Sequence, residues 1–164
     1  MPTAHCPADA KTLPLPAGAS SWTLNVFVRA DEPIPNRTLI VGFGSTDNTE
    51  DGTGRYFGKF ADGLHFWSRK AELETTTPVD IGHWQMLTAS YDGRTLTLYK
   101  DGEKIEEFAP TLVDDKPELA IAPLDPWDKM RRFQGELRQL TFWNQSLSAE
   151  ALRLIYNADQ PSAP

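Results

Sequence analysis

Two Asp-Gly dipeptides, at 92–93 and 101–102, separate three segments of alternating apolar and polar residues between Trp84 and Ile105. Asp-Gly between alternating segments is the strongest local signal for a β-hairpin, because a type I′ turn needs positive φ at both central residues. The stretch is therefore predicted to form three antiparallel strands joined by two tight turns.

The two turns also predict the same buried face. If 92–93 is a two-residue loop, Ala89 lies opposite Leu96 and Leu87 lies opposite Leu98, while the second turn places Ile105 opposite Leu98. The other face then carries hydroxyl groups, on Thr88, Ser90, Thr95 and Thr97. A slip of one residue would reverse every side chain, so the agreement favours a sheet with one apolar face.

The rest of the chain repeats this pattern of short strands. Segments rich in β-branched or aromatic residues occur at 22–29, 38–43, 55–60, 64–70, 84–91, 94–100, 104–108, 118–122 and 135–143. Regularly spaced short strands with turn signals are typical of an all-β sandwich. Only 148–157 has a helical period, with Ser148 as its N-cap. The predicted organisation is a linker at 1–20, a β-sandwich at 21–157 and a tail at 158–164.

Charge and composition exclude several classes of partner. The 164 residues carry a net charge of −7, whereas nucleic-acid binding depends on clustered Lys and Arg. No run approaches the ~18 apolar residues of a membrane-spanning helix. Cys6 is the only cysteine, so there is no intrachain disulfide. We therefore expect neither a nucleic-acid partner nor a membrane partner.

Several motifs, in this order, resemble the laminin-G-like domains of the concanavalin A-like lectin/glucanase family. They lie at 22–28, 82–84, 91–93, 98–102, 133–137 and 142–150. The resemblance implies a jelly-roll of two curved antiparallel sheets with packing aromatics at Trp22, Trp84, Phe133 and Trp143. Such domains are frequently appended to secreted glycoside hydrolases and bind carbohydrates or extracellular proteins. The resemblance thus implies an extracellular or periplasmic location, as part of a larger secreted protein.

A third hairpin, around Asp62-Gly63, contains one candidate sugar-binding surface. A two-residue loop places Gly58 opposite Trp67, and a bare glycine would leave the indole face open for a pyranose ring. The same face would carry Tyr56, Phe60, His65 and Arg69. The alternative is that Trp67 belongs to the core, as buried tryptophans often do.

Trp127 is the second candidate. It lies in a segment with two prolines and several charges, which is incompatible with a central strand. A large aromatic residue in a polar loop either plugs the edge of a core or binds a ligand. Asp125, Asp128 and Arg131 are the candidate partners for sugar hydroxyl groups.

The 45–54 loop is a candidate calcium site. The 45–54 loop is rich in oxygen-bearing residues, including Asp47, Glu50 and Asp51, but it lacks the spaced ligands of an EF-hand. Many laminin-G-like domains hold calcium, and an acidic residue commonly occupies the position where this chain has Arg138. We expect no cofactor, with structural calcium as the alternative.

No catalytic constellation is recognisable. Glycoside cleavage needs two carboxylates held across the scissile bond, and the nearest approach is Glu72 with Glu74 in a Thr-rich connector. There is no Gly-X-Ser-X-Gly elbow, Walker motif or dinucleotide-binding glycine pattern. The sequence therefore predicts a non-catalytic carbohydrate-binding accessory module. The alternatives are a protein-interaction or adhesion domain, and a structural spacer packed against a neighbouring catalytic domain.

Overall fold

Residues 20–161 form a sandwich of two five-stranded antiparallel sheets in the computed structural model, which describes this part of the chain. The strands are β1 (Trp22–Ala30), β2 (Thr38–Phe43), β3 (Arg55–Phe60), β4 (Gly63–Trp67), β5 (Leu73–Glu74), β6 (Gln85–Tyr91), β7 (Leu96–Lys100), β8 (Glu103–Phe108), β9 (Leu119–Ile121) and β10 (Gly135–Trp143). Helix α1 (Ala149–Asp159) follows. Sheet A has the order β10-β1-β6-β7-β8, and sheet B has the order β5-β4-β3-β2-β9.

The predicted all-β sandwich with one short C-terminal helix is confirmed. Every predicted strand is present, and only the two-residue strand β5 lacks a sequence prediction. Ser148 caps the helix as predicted, since its hydroxyl accepts a hydrogen bond from the backbone N–H of Ala151. The predicted linker at 1–20 lies, except for its last residue, outside the described residues, as does the end of the predicted tail. None of the helices within 20–161 has the length and apolar character needed to cross a membrane.

The central hairpins keep the predicted faces but not the predicted register. Ala89 lies opposite Leu98 rather than Leu96, because the first loop contains four residues instead of two. The carboxylate of Asp92 accepts hydrogen bonds from the backbone N–H groups of Arg94 and Thr95, which stabilise this wider turn. A shift of two residues leaves each side chain on its original face.

The second turn matches the I′ prediction, with positive φ at both Asp101 and Gly102. The register then changes between Leu98 and Tyr99, and Glu106 rather than Ile105 lies opposite Leu98. This irregularity places Ile105 in an unpaired position, where its side chain still packs against the main core.

The main core lies between the sheets and contains the apolar residues of both inner faces, among them Trp22, Leu24, Phe43, Phe57, Phe66, Leu87, Leu98 and Phe133. Trp22 and Phe133 are buried, as the family resemblance implies. Trp84 and Trp143 are only half-buried. The Trp84 ring lies on the outside of sheet A, with the guanidinium groups of Arg29 and Arg138 over it at 5.5 and 4.6 Å.

The predicted hydroxyl face of sheet A is covered by the C-terminal segment. Leu152 of helix α1 packs on Phe27, Met86 and Tyr99. Beside this contact, the backbone N–H of Leu147 donates to the hydroxyl oxygen of Thr23 at 3.0 Å. The strand hydroxyl groups therefore satisfy the polar backbone of the segment that buries them.

Candidate functional site

Three connections meet along the β2–β9 edge of sheet B. They are the β2–β3 loop at 44–54, the β8–β9 connection at 109–118 and the β9–β10 connection at 122–134. The backbone N–H of Gly44 donates to the carbonyl oxygen of Glu118, and the ammonium group of Lys129 donates to the carbonyl oxygen of Thr46. All three connections are thus joined by direct hydrogen bonds.

Asp115 holds the first two connections together. Its carboxylate accepts hydrogen bonds from the backbone N–H groups of Ser45 at 2.8 Å, Gly54 at 2.6 Å and Lys116 at 2.7 Å. It also pairs with the guanidinium group of Arg55 at 3.4 Å, and both side chains are buried. A buried carboxylate is stable here because donors replace the water that it loses.

The loop reaches this conformation through glycines with positive φ. Gly54 has a φ of +76°, and a Cβ atom there would lie 2.4 Å from the Trp67 ring. Gly44 has a φ of +91°, and a Cβ atom there would lie 2.2 Å from the Asp115 carboxylate. Only glycine allows both the backbone conformation and these close approaches.

A polar groove lies between these connections. It consists of two neighbouring depressions with volumes of about 410 and 260 Å³, which share Ser45, Asp47 and Lys116. Further lining comes from Thr49, Glu50, Thr53, Asp114 and Asp115 in the larger depression, and from Tyr56, Glu118 and Lys129 in the smaller. The groove therefore presents carboxylates, hydroxyl groups and two ammonium groups to solvent.

Asp47 is fixed in its ionised form on the groove wall. The Thr49 hydroxyl donates to its carboxylate at 2.7 Å, and this hydrogen bond lowers the pKa of Asp47 below its ordinary value. Tyr56 lies in the floor of the smaller depression, where its hydroxyl donates to the carbonyl oxygen of Gly44 at 2.6 Å. Burial raises the pKa of Tyr56, so this group stays a neutral donor.

Asp125 organises the segment that contains Trp127. It is completely buried, and its carboxylate accepts hydrogen bonds from the backbone N–H groups of Trp127, Asp128, Met130 and Arg131 and from the Arg131 guanidinium group. Burial alone would raise the pKa of Asp125, but these hydrogen bonds outweigh it and hold the pKa well below its ordinary value. The expectation that Asp125 binds sugar hydroxyl groups is wrong, because its oxygens are enclosed and already paired.

Asp128 and Arg131 remain nearer to solvent. The Arg131 guanidinium group lies 2.9 Å from the Asp128 carboxylate, whose side chain is half exposed. Trp127 is half-buried, and its ring meets the Trp67 ring edge-on at a centroid distance of 6.1 Å. Trp127 therefore covers an apolar cluster with part of its surface and leaves the rest accessible.

The predicted open surface around Trp67 does not exist. Gly58 lies opposite His65, and Trp67 lies opposite Tyr56, because the turn is at Ala61-Asp62 and shifts the pairing by two residues. The predicted separation of Phe57, Leu64 and Phe66 from Tyr56 and Trp67 is confirmed, since the two sets belong to different clusters. Trp67 and Tyr56 are nevertheless fully buried. The alternative hypothesis, that Trp67 is a core residue, is correct.

His65 and Arg69 are also committed to the protein. His65 is buried, with its Nε2 atom 3.2 Å from the Glu72 carboxylate. Arg69 lies beyond the end of β4, where its Nε donates to the carbonyl oxygen of Asn48 and its guanidinium group pairs with Asp51. Burial corrects the prediction for His65, whereas Arg69 keeps part of its surface exposed and its contact with a sugar stays a prediction.

Sequence reasoning missed most of the groove lining. Asp115 and Lys116 come from a connection without a motif, and the oxygen-rich composition around Ser45 indicates calcium rather than sugar binding. Within residues 20–161, no set of three or more His, Cys, Asp or Glu side chains is arranged to hold a metal ion. The available signal for Asp115 is the set of three glycines in the 44–54 loop, which indicates a close approach by another segment.

The fold matches solved structures at low sequence identity. Domain 4 of AbnA, a GH43 extracellular arabinanase from Geobacillus stearothermophilus, was solved with arabinotriose; it has 15% identity and a TM-score of 0.68, over 87% of this chain and 68% of that one. The Ruminococcus gnavus IT-sialidase CBM40, bound to α2,3-sialyllactose, has 11% identity and a TM-score of 0.66, over 84% and 83% of the two chains. A SAP-like pentraxin from Limulus polyphemus has 13% identity and a TM-score of 0.63, over 85% and 71%.

At these identities the structural matches establish the fold alone. Among curated proteins, none matches the sequence. The family model described as the concanavalin A-like lectin/glucanases superfamily matches residues 5–153, which is most of the chain. Together with the two-sheet architecture and the predicted motifs, this match shows that the chain belongs to the concanavalin A-like lectin/glucanases superfamily.

Proposed function

We propose that this domain is a non-catalytic carbohydrate-binding module of a secreted, glycan-degrading protein. The observation that carries the proposal is the polar groove along the β2–β9 edge, which is bordered by the half-exposed Trp127 segment. Sugars need hydrogen-bonding groups for their hydroxyls and an aromatic surface for their C–H faces. The polar groove and the accessible part of Trp127 lie side by side on this part of the molecule.

The groove walls are rigid enough to select hydroxyl geometry. Asp115 fixes Ser45 and Gly54 through their backbone N–H groups, and the Thr49 hydroxyl fixes the carboxylate of Asp47. Acceptors held in place before binding lose little conformational entropy when a ligand arrives. Asp47, Glu50 and Lys116 are the proposed contacts for sugar hydroxyl groups in the larger depression.

Trp127 is the proposed stacking residue. Its segment is held by the five hydrogen bonds to Asp125, so the ring is positioned before a ligand binds. One ring and one shallow groove make few contacts against the entropy lost on binding. We therefore expect dissociation constants from micromolar to millimolar, about −8 to −4 kcal/mol.

The comparisons support the ligand class and the accessory role. The Geobacillus stearothermophilus and Ruminococcus gnavus structures, each named as part of an enzyme, were solved with arabinotriose and with α2,3-sialyllactose respectively. By analogy, the proposed partner is an oligo- or polysaccharide and the proposed location is extracellular or periplasmic.

Exposed apolar residues favour a second function. Met130 is 80% exposed and Ile121 is 48% exposed, on either side of Trp127 in the chain. Exposed apolar side chains around a tryptophan also suit packing against a neighbouring domain. In that case the domain would be a structural spacer, and Trp127 would be buried at the contact.

A glycan array followed by calorimetry tests the first proposal. Trp127→Ala should abolish binding to the glycan that the unmodified domain captures, and Lys116→Ala should weaken it. Trp84→Ala is the matched control, because Trp84 is also half-buried but lies on the outer face of sheet A. Absence of binding to every glycan, or equal losses for Trp127→Ala and Trp84→Ala, would contradict the proposal.

A further inference from the structure

Arg37 lies between two aromatic rings on the outer face of sheet B. Its guanidinium carbon is 5.7 Å from the centroid of the Phe60 ring and 5.6 Å from the centroid of the Trp127 ring. Arg37 is exposed, whereas Phe60 and Trp127 are half-buried. Cation–π contacts of this kind hold a guanidinium group in position while its N–H groups stay available in its own plane.

The backbone at Arg37 is in the left-handed region, with a φ of +62°. A residue other than glycine pays for this conformation in free energy, and asparagine or glycine would adopt it more easily. The backbone N–H of Arg37 donates to the carbonyl oxygen of Lys59 at 2.9 Å, which fixes the turn before β2. The turn therefore holds the backbone of Arg37 in place beside Phe60 and Trp127.

The charge of Arg37 has no counterpart in the described part of the chain. Within residues 20–161 its side chain forms no ion pair and no hydrogen bond, although acidic residues outnumber basic ones in the sequence. Six of the eight other arginines in the same range pair with a carboxylate, namely Arg29, Arg55, Arg69, Arg131, Arg138 and Arg153, whereas Arg132 donates to the carbonyl oxygen of Ala122 and Arg94 has neither contact. Arg37 thus combines a fixed position with unused hydrogen-bond donors.

We propose that Arg37 binds the carboxylate of an acidic sugar residue that lies against Trp127 and Phe60. A planar guanidinium group matches a carboxylate through two parallel N–H···O hydrogen bonds, and the parts of the Phe60 and Trp127 rings that the guanidinium group leaves uncovered offer apolar surface to the sugar. The inference rests on the proposed carbohydrate-binding function and adds a ligand class, glycans that contain uronic or sialic acids.

The groove on the other side of the Trp127 segment sets the orientation. Asp47 and Glu50 repel a carboxylate, so an acidic residue is disfavoured in the larger depression. The acidic sugar would therefore lie at Arg37, and neutral residues of the same glycan would extend towards the groove. The bound glycan would then have one direction, with its acidic residue at Arg37 and its neutral residues towards the groove.

Calorimetry with matched sugars tests the inference. The probes are trigalacturonic acid and its carboxyl-reduced form, and 3′-sialyllactose with lactose and 3′-sulfated lactose. We expect at least one acidic probe to bind about tenfold more tightly than its neutral counterpart. Arg37→Gln should remove this preference, and Arg37→Lys should retain only part of it, because an ammonium group lacks the planar pair of donors.

Arg94→Gln is the matched control. Arg94 is also exposed and forms no side-chain ion pair or hydrogen bond within residues 20–161, but it lies in the turn between β6 and β7. This variant should keep the preference of the unmodified protein. Thermal unfolding of the Arg37 variants establishes that they are folded.

The outcomes separate this inference from the function on which it rests. Equal binding of acidic and neutral probes, or a preference that survives in Arg37→Gln, would overturn the role of Arg37 and leave a carbohydrate-binding module. Tighter binding of the sulfated probe than of every carboxylate probe would overturn the carboxylate assignment. Failure to bind any sugar on the array would overturn both proposals.

Discussion

The guanidinium group of Arg55 and the carboxylate of Asp115 form a buried ion pair at 3.4 Å, with side chains that are 3% and 7% exposed. Arg55 belongs to β3, and Asp115 belongs to the connection before β9. The pair therefore anchors a non-regular segment to the sheet at the point where the polar groove forms. The shape of the groove therefore depends on this ion pair between the sheet and the connection.

Asp115→Ala should destabilise the domain by about 3 kcal/mol or more, because it leaves the Arg55 charge buried without its partner. Urea unfolding measures the effect. The control is Asp51→Ala, which removes the exposed partner of Arg69 and should cost about 1 kcal/mol or less. Equal losses for the two variants would show that the buried pair has no special role.

Gly54→Ala should cost more than Gly82→Ala. The two glycines have nearly the same φ, +76° and +74°, but a Cβ atom at Gly82 meets nothing within 4 Å. Gly82→Ala therefore measures backbone strain alone, about 1 kcal/mol. Gly54→Ala adds a collision with the Trp67 ring and should cost about 1–3 kcal/mol beyond that. The prediction fails if chemical denaturation gives the same free energy of unfolding for both.

Asp125 should make the stability of the domain depend on pH. Its pKa is lowered in the folded state from an ordinary value of 3.8, so its contribution is present above that pH and is lost as the pH falls through the folded-state pKa. Asp125→Asn should cost about 2 kcal/mol at pH 7. The difference from the unmodified protein should be smaller at pH 3.

Asp128→Asn is the control for this experiment. Asp128 also contacts the Arg131 guanidinium group, but its side chain is half exposed. We expect a loss of about 0.5 kcal/mol at pH 7, in the range of exposed ion pairs. An Asp125→Asn effect that is the same at pH 7 and pH 3 would contradict the assigned role.

Leu152→Ala should destabilise the packing of helix α1 on sheet A. Leu152 is fully buried against Phe27 and Met86, so its truncation should cost about 3 kcal/mol. Leu154→Ala, two residues away, is the matched control because Leu154 is 65% exposed. Its effect should stay within about 0.5 kcal/mol. A large loss for both, measured by urea unfolding, would point to helix propensity instead.

The alternation of side chains predicted the faces of the sheets because that information is local. Leu87, Ala89 and Leu98 are buried as expected, although Ala89 pairs with a different residue. The pairing depends on loop size, and the side chain of Asp92 widens its loop by binding two backbone N–H groups. The sequence pattern does not distinguish a two-residue loop from a four-residue loop with the same Asp-Gly.

The covering of the outer faces was not predictable from the hairpins themselves. Trp67 is enclosed by Trp127, which is sixty residues further along the chain, and by the close approach of Gly54. The sequence placed Trp127 in a polar loop correctly but gave no indication of which surface that loop covers. The position of Arg37 between two aromatic rings was not predictable, because neither its turn nor its ring contacts have a sequence motif.

The burial of the sheet A hydroxyl groups by residues 145–156 affects how strongly this domain can hold a polymer. With that face largely occupied, the proposed binding surface on sheet B is the one left for a polysaccharide, and each copy of the domain would contribute a single weak attachment. Durable retention on an insoluble glycan would then come from avidity, through several such domains side by side or repeated encounters with one chain.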